Sequence, residues 1–234
     1  MSTPVMEHAP RVRRRSRWRT ALGLVLLLTG LTLLGWFAWE YWGTNWVSHR
    51  TQQRVIHQLQ EGWQEGRPTT PVPEGPGGSN VSAEAIVRIP RFGSHYAVPV
   101  LQGTSESVLA AGFGHFPGTA RAGGIGNYAL AGHRVTHGEP LRDMPDLQPG
   151  DKIIVETRRK VFTYRLDTGG AALVVPFTDT WVLDPLPTNP DGGVEPPDQS
   201  PGQRLITLTT CSELFHTDNR MIAFGHLVSQ RWRS

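Results

Sequence analysis

Cysteine is nearly absent from this chain: one, Cys211, stands among 234 residues. No disulfide can therefore close within a single copy, and the fold must rest on its core. The lone thiol is left as an inert buried group, a link between copies, or a reagent. Charge is missing from Thr20 to Trp39, TALGLVLLLTGLTLLGWFAW. At about 1.5 Å per residue that run is long enough for the roughly 30 Å hydrocarbon core of a bilayer. The small residues of a secretory cleavage site are lacking after it. Instead Trp36, Trp39, Tyr41, Trp42 and Trp46 crowd the exit, as an interfacial aromatic belt does. The run reads as a retained signal anchor rather than a removed leader.

A basic surface on the folded part is also missing, despite a sequence pI near 9.4. Six of the 23 basic residues are arginines in the first 20 positions, where there is one acid; the remainder holds 17 basic against 19 acidic residues. Nucleic-acid binding has no folded patch to rest on. Arg11, Arg13, Arg14, Arg15, Arg17 and Arg19 instead hold the N-terminus in the cytoplasm and send the rest of the chain across.

Internal repeats and heptads are absent, and helix-period segments outside the apolar run are scarce. Residues 43–67 are polar with scattered apolar positions, consistent with a short juxtamembrane helix. PTTPVPEGPGGSN, residues 68–80, is too rich in proline and glycine for regular structure and reads as a tether, so the folded domain is expected from Val81. Short strands follow: AIVRIP (Ala85 to Pro90), YAVPVL (Tyr96 to Leu101), GNYALAGH (Gly126 to His133), a DKIIVET and KVFTYRL hairpin, AALVVP, LITLTTC (Leu205 to Cys211) and RMIAFGHLV (Arg220 to Val228). SESVLAAG carries a capping serine and a terminal glycine and predicts one or two helical turns. The architecture this implies is all-β, an antiparallel barrel or sandwich behind one N-terminal transmembrane helix.

Cys211 ends one strand and Arg220 opens the next. If the two strands pair as a hairpin, both side chains emerge at one end of the sheet. A thiol is mostly protonated at neutral pH, so a neighbouring cation makes it a useful nucleophile, and a guanidinium also donates forked hydrogen bonds to a carbonyl or oxyanion. The missing part is a proton-transfer group. His8, His49 and His57 lie in the tail or stalk, while His95, His115, His137, His216 and His226 read as surface or packing residues. His133 ends a strand at a turn, as Cys211 does. His133 and His137 form an HxxxH pair, but that spacing serves zinc best on a helix. Gly132, Gly138 and Pro140 surround it and the glutamate of H-E-x-x-H is absent, so no metal is expected.

GNYALAGHR, LITLTTC and NRMIAF together resemble the signature of sortases, membrane-anchored cysteine transpeptidases, and most of all their class E. The resemblance runs from about Ala85 to Val228 and includes GHFPGTA, the LxPGDKIIVET segment and WVLDP. It implies an eight-stranded β-barrel with short helices, Cys211 as nucleophile, His133 as general acid/base and Arg220 as the group that holds the substrate backbone and oxyanion. It also implies a sorting signal of LPXTG or LAXTG type on an exported protein, cut between Thr and Gly through a thioester. The acceptor is an amine of a lipid-linked peptidoglycan precursor or of a pilin lysine, and no cofactor is needed. Phe116 replaces the tyrosine usual after GH in class E, whose hydroxyl is linked to preference for Ala at the second signal position. Phe116, His137, Thr210, Trp181, Val182 and Leu183 are the candidate substrate contacts, the last three at the head of a long loop, 183–203.

The expected organisation is a cytoplasmic tail (1–19), an anchor (20–42), a stalk and linker (43–80) and an extracellular catalytic domain (81–234) tethered beside its membrane-bound substrates. A cysteine hydrolase, and a membrane adaptor that binds signal peptides without catalysis, are the competing readings.

Overall fold

The computed structural model describes residues 17–39, 44–73, 80–197, 200–211 and 218–233. The tail before Arg17, Tyr41, Trp42, residues 74–79 of the expected tether and the loop that holds His216 lie outside them. The chain divides into two compact units, the first ending at Tyr41 and the second beginning at Trp42.

In the first unit, α1 (Arg17–Ala38) is apolar around its whole circumference. Its leucines stand open, Leu22, Leu26, Leu28 and Leu34 each by more than half. A helix with no polar face has no soluble surface to present. Among the described residues one helix, α1, is long and apolar enough to cross a membrane, with the window Trp18–Trp36.

The second unit begins with α2 (Thr44–Gln64), followed by β1 (Thr70–Pro73), β2 (Asn80–Arg88), β3 (Val98–Gln102), α3 (Glu106–Ala111), β4 (Phe113–His115), β5 (Gly126–Ala131), β6 (Lys152–Glu156), β7 (Lys160–Leu166), β8 (Leu173–Pro176), β9 (Arg204–Cys211) and β10 (Asn219–Trp232). The strands run in the order β2-β3-β4-β5-β9-β10-β7-β6, and β6 returns to pair with β2. Eight strands thus close a barrel, with β1 added along β2 and β8 along β10. Closure leaves the eight with no free edge. Alternate residues point inward: Val100, Phe113, Tyr128, Leu130, Tyr164, Ile206 and Leu208 fill the interior.

The expected strands appear with shifted ends, and β10 continues four residues beyond Val228. The helix expected from SESVLAAG is α3, where Ser105 accepts the Val108 N–H and Gly112 closes the end.

The helix expected within residues 43–67 appears as α2, but the described part of the expected stalk and tether packs as part of the second unit. In α2, Ser48, Gln52, Val55, Ile56, Leu59 and Trp63 are buried, at spacings of three and four that make one helical stripe. The apolar four pack with Ile86, Leu101 and Val108 on the outer wall of the barrel. Burying each such side chain contributes roughly 1.5–3 kcal/mol, enough to dock a helix that would be marginal alone. The Arg233 guanidinium covers the Trp63 ring at 4.2 Å. The proline-rich TPVP forms β1, in which Thr70 and Val72 are buried while Pro71 and Pro73 face outward. Proline is tolerated there because β1 is an edge strand. The folded body therefore starts at α2 rather than at Val81.

Candidate active site

Three neighbouring strands set the candidate catalytic residues in one row. Arg220 on β10 is the direct cross-strand partner of Cys211 on β9. On the other side β5 runs parallel to β9, with Ala131 opposite Thr209. The pairing continues one step past the strand, the Gly132 N–H donating to the Thr209 carbonyl at 3.1 Å. One further residue brings His133 level with Cys211. Side chains opposite one another share a face. Ile206, Leu208, Met221 and Ala223 point into the barrel, so Cys211 and Arg220, at odd spacing from them, point out. His133, Cys211 and Arg220 are each half-buried, while the strands beneath them are buried. The register sets Cys211 opposite Arg220 and brings the segment that carries His133 alongside the end of β9.

Gly132 is part of this construction. A Cβ there would meet the Phe113 ring at 3.0 Å and Pro140 at 3.2 Å, so a larger residue needs those two side chains to give way. Thr210 is a correction to the sequence reading. It lies one residue before Cys211 and so on the opposite face, 3% exposed, and its hydroxyl donates to the Gly132 carbonyl at 2.7 Å. It ties β9 to the His133 segment and does not face the outer groove.

Phe116 lies on the same outward face as Ala129. Gly114 and His115 of β4 pair with Ala131 and Leu130, and the Phe116 N–H donates to the Ala129 carbonyl at 3.1 Å. It is thus opposite Ala129, on the side of the small residues that lead to His133. Beneath it His115 is buried, its ring nitrogens facing the Glu84 carboxylate (2.9 Å) and the Ala120 carbonyl (3.0 Å). Burial alone would push the Glu84 carboxyl up, but His115 and hydrogen bonds from Gln102 and Tyr128 outweigh it and hold the group below its ordinary value.

Trp181, Val182 and Leu183 form a short 3-10 turn, Thr180–Leu183, over the far end of the same face. Val182 packs with Val175, Ile222 and Phe224, and its carbonyl accepts from Asn127 Nδ2 at 3.0 Å. The Thr207 hydroxyl locks that asparagine at 2.8 Å. Trp181 faces the Phe224 ring at 6.0 Å, and Leu183 lines a shallow depression with Thr119, Ile125, Asn127 and Pro185. None of the three adjoins Cys211. Thr207 is four residues along β9 from it, about 13 Å at roughly 3.3 Å per residue. The described part of the loop 183–203 is tied to itself, Asn189 taking the Glu195 carboxylate and the Val194 carbonyl.

His137 stacks on His133, ring centroids 4.9 Å apart and planes at 29°. A carboxylate with no signal in the sequence also arrives: Glu106, first residue of α3, places Oε1 3.7 Å from His133 Nε2. Only tertiary folding joins residues 27 positions apart. Glu106, His133 and His137 have the composition of a zinc ligand set, with ligand atoms within 4.8 Å of one another. Stacked rings, however, carry their lone pairs in nearly parallel planes rather than toward one point. The Glu106 side chain is 78% exposed. As it stands, the cluster is an imidazole pair flanked by a carboxylate. Of the remaining histidines, His95 is exposed in a turn and His226 pairs with Asp167 at 2.7 Å.

Comparison with known proteins agrees with this geometry. The sortase domain family matches residues 87–228. Sortase SrtE1 of Streptomyces coelicolor is 35% identical over 224 residues, 92% of this chain, and this chain spans 58% of that relative's length. The structure of sortase E from Streptomyces avermitilis superposes with a TM-score of 0.55 at 39% identity, covering 64% of this chain and 90% of that one. Sortase E1 of S. coelicolor, solved with a tripeptide in its active site, gives 0.53 at 37% identity over 64% and 91%. With the closed eight-stranded barrel and the family match over most of its folded body, the chain belongs to the sortases, a family of cysteine transpeptidases.

Proposed function

We propose that this chain is a membrane-anchored transpeptidase that cleaves a sorting signal of LPXTG or LAXTG type between Thr and Gly and joins the new carboxyl end to an amine. The observation that carries the reading is the pairing of Cys211 with Arg220 across β9 and β10, with His133 two residues past the end of β5, the strand that runs beside β9. Cys211 passes its thiol proton to His133 and its Sγ attacks the Thr carbonyl carbon, the carbonyl electrons moving onto oxygen, where the Arg220 guanidinium supplies donors. The C–N bond then breaks as His133 delivers a proton to the leaving glycine nitrogen, leaving a thioester on Cys211. An acceptor amine attacks the thioester, His133 takes its proton, and the thiol is released. These steps use side chains alone and call for no cofactor.

The outward face between Thr207 and Cys211 suits an extended peptide. Four residues separate the Val182 contact at Thr207 from Cys211, the length of the signal up to its scissile bond. Ala129, Ala131 and Thr209 are small, and Phe116 stands beside them. Trp181, Val182 and Leu183 would meet the first signal residue and Phe116, level with Thr207 through Ala129, the second, while His137 flanks the residues nearest the cut. Because Phe116 lacks the hydroxyl usual in class E, it leaves no polar group to discriminate at the second signal position. Phe116→Tyr is accordingly expected to raise the rate with LAXTG relative to LPXTG peptides, and an unchanged ratio would remove Phe116 from the specificity determinants.

In this reading α1 crosses the membrane once with the arginine-rich end inside, and the barrel works on the outer side. There the signal-bearing protein and a peptidoglycan precursor or pilin subunit are held at the same surface. The test is direct: protein, signal peptide and an amino-peptide acceptor, with products identified by mass spectrometry. A ligated product that disappears with Cys211→Ala supports transpeptidation. Hydrolysis unaffected by any amine points to a cysteine hydrolase, and peptide binding without turnover points to an adaptor.

A further inference from the structure

The loop that carries His137 has a backbone its sequence does not favour. His137, Gly138 and Glu139 lie in succession at φ of 56°, 79° and 46°, the left-handed region, which glycine enters freely and other residues at a cost. Two of the three are not glycine, so something outside the turn must hold it.

That holder comes from α2. Asn45 Oδ1 accepts the Gly138 N–H at 2.9 Å, and Asn45 Nδ2 donates to Glu139 Oε1 at 2.5 Å. The other Glu139 oxygen accepts from Arg142 at 2.6 Å. Below Asn45 on the same stripe, Ser48 and Gln52 are 4% and 2% exposed. They press on Gly138 so closely that a Cβ there would stand 2.5 Å from Gln52 Nε2 and 3.3 Å from Ser48 Cβ. Buried polar residues on a helix stripe need a reason, and here they form the seat of the turn. At the other end of the chain of contacts, the His137 ring lies against His133.

We propose that α2 is a working part of the active site, with Asn45 as a positioning residue. It clamps the left-handed turn at His137–Glu139, and the turn in turn holds the imidazole stacked on His133. The inference rests on the reading of His133 as the proton-transfer group. It assigns a task to a segment that by sequence is a spacer between membrane and enzyme. Four apolar residues fix α2 to the barrel, so the clamp is as rigid as the wall on which it stands.

The experiment uses the full-length protein in detergent, with the signal peptide and amino-peptide acceptor. Asn45→Ala is expected to lower kcat at least tenfold with KM within twofold, and to broaden or split the His133 ring signals in NMR spectra, while the melting temperature stays within a few degrees. Adding Glu139→Asn should restore a large part of kcat, because asparagine accepts a left-handed backbone more readily and no carboxylate is then left without its clamp. Gln53→Ala, on the exposed side of α2, should leave kcat unchanged. An Asn45→Ala protein with wild-type kcat and unaltered His133 signals would overturn the clamp. So would a loss of activity that tracks melting and is not recovered by Glu139→Asn, since α2 would then be scaffold only. If the wild-type protein ligates nothing, the proposed function fails, and the His133 signals still decide for or against the clamp.

Discussion

Cys211 and Arg220 face each other across a single rung, so a change at either acts on the same few ångströms of substrate. Arg220→Lys keeps the charge but loses the planar fork, and a drop of about 100-fold in kcat/KM is expected, the usual scale for losing an oxyanion donor. Steady-state rates with one signal peptide measure it, and a loss under threefold would reduce Arg220 to a general electrostatic presence. Thr210→Val keeps the shape and strands the Gly132 carbonyl. The protein should lose about 1–3 kcal/mol of stability in denaturant titration. A change confined to peptide binding, with stability intact, would return Thr210 to the groove. Period-two alternation was legible enough in LITLTTC to place it inward, because neighbours on a strand cannot share a face. Glu106 and Asn45 were not legible, since their roles depend on contacts across 27 and 93 residues of chain.

Among the elements, α2 and β1 mark the limit of reading by composition. The stripe Val55, Ile56, Leu59 and Trp63 is interleaved with Arg54, His57 and Glu61, so the segment reads as a possible helix but says nothing of what it docks on. In β1 the two prolines mask a strand whose alternate residues, Thr70 and Val72, are buried. The β6–β7 hairpin, by contrast, was plain from its β-branched runs, and the pairing Glu156 with Val161 places its turn at Arg158 and Arg159. Truncation separates the two views of the N-terminal segment. Starting the chain at Val81 removes α2 and bares Ile86, Leu101 and Val108, so this fragment should melt lower or aggregate, whereas one starting at Trp42 should behave as the full folded body. Within the intact protein Leu59→Ala should cost about 2–5 kcal/mol. Equal melting of both fragments would show α2 to be dispensable.

For the molecule as a whole, the closed barrel keeps a buried Glu84–His115 pair between the wall and the Phe116 segment. The folded pKa of Glu84 lies below its unfolded value. Its contribution is therefore complete above about pH 4.3, the ordinary glutamate value, and is lost as pH falls through the lower, folded one. Melting curves of wild type and Glu84→Gln from pH 7 to pH 3 should show a gap in favour of wild type that closes toward the acid end. A gap that widens there would reverse the assignment. The other whole-molecule feature is that Cys211 and Arg220 sit opposite one another where β9 ends and β10 begins. The most direct measurement is intact-protein mass spectrometry during turnover of a signal peptide. An adduct of the peptide up to its threonine, mapped to Cys211 and discharged into an amide when the acceptor amine is added, is the expected result; product formation with no adduct on Cys211, or undiminished turnover by Cys211→Ala, would contradict it.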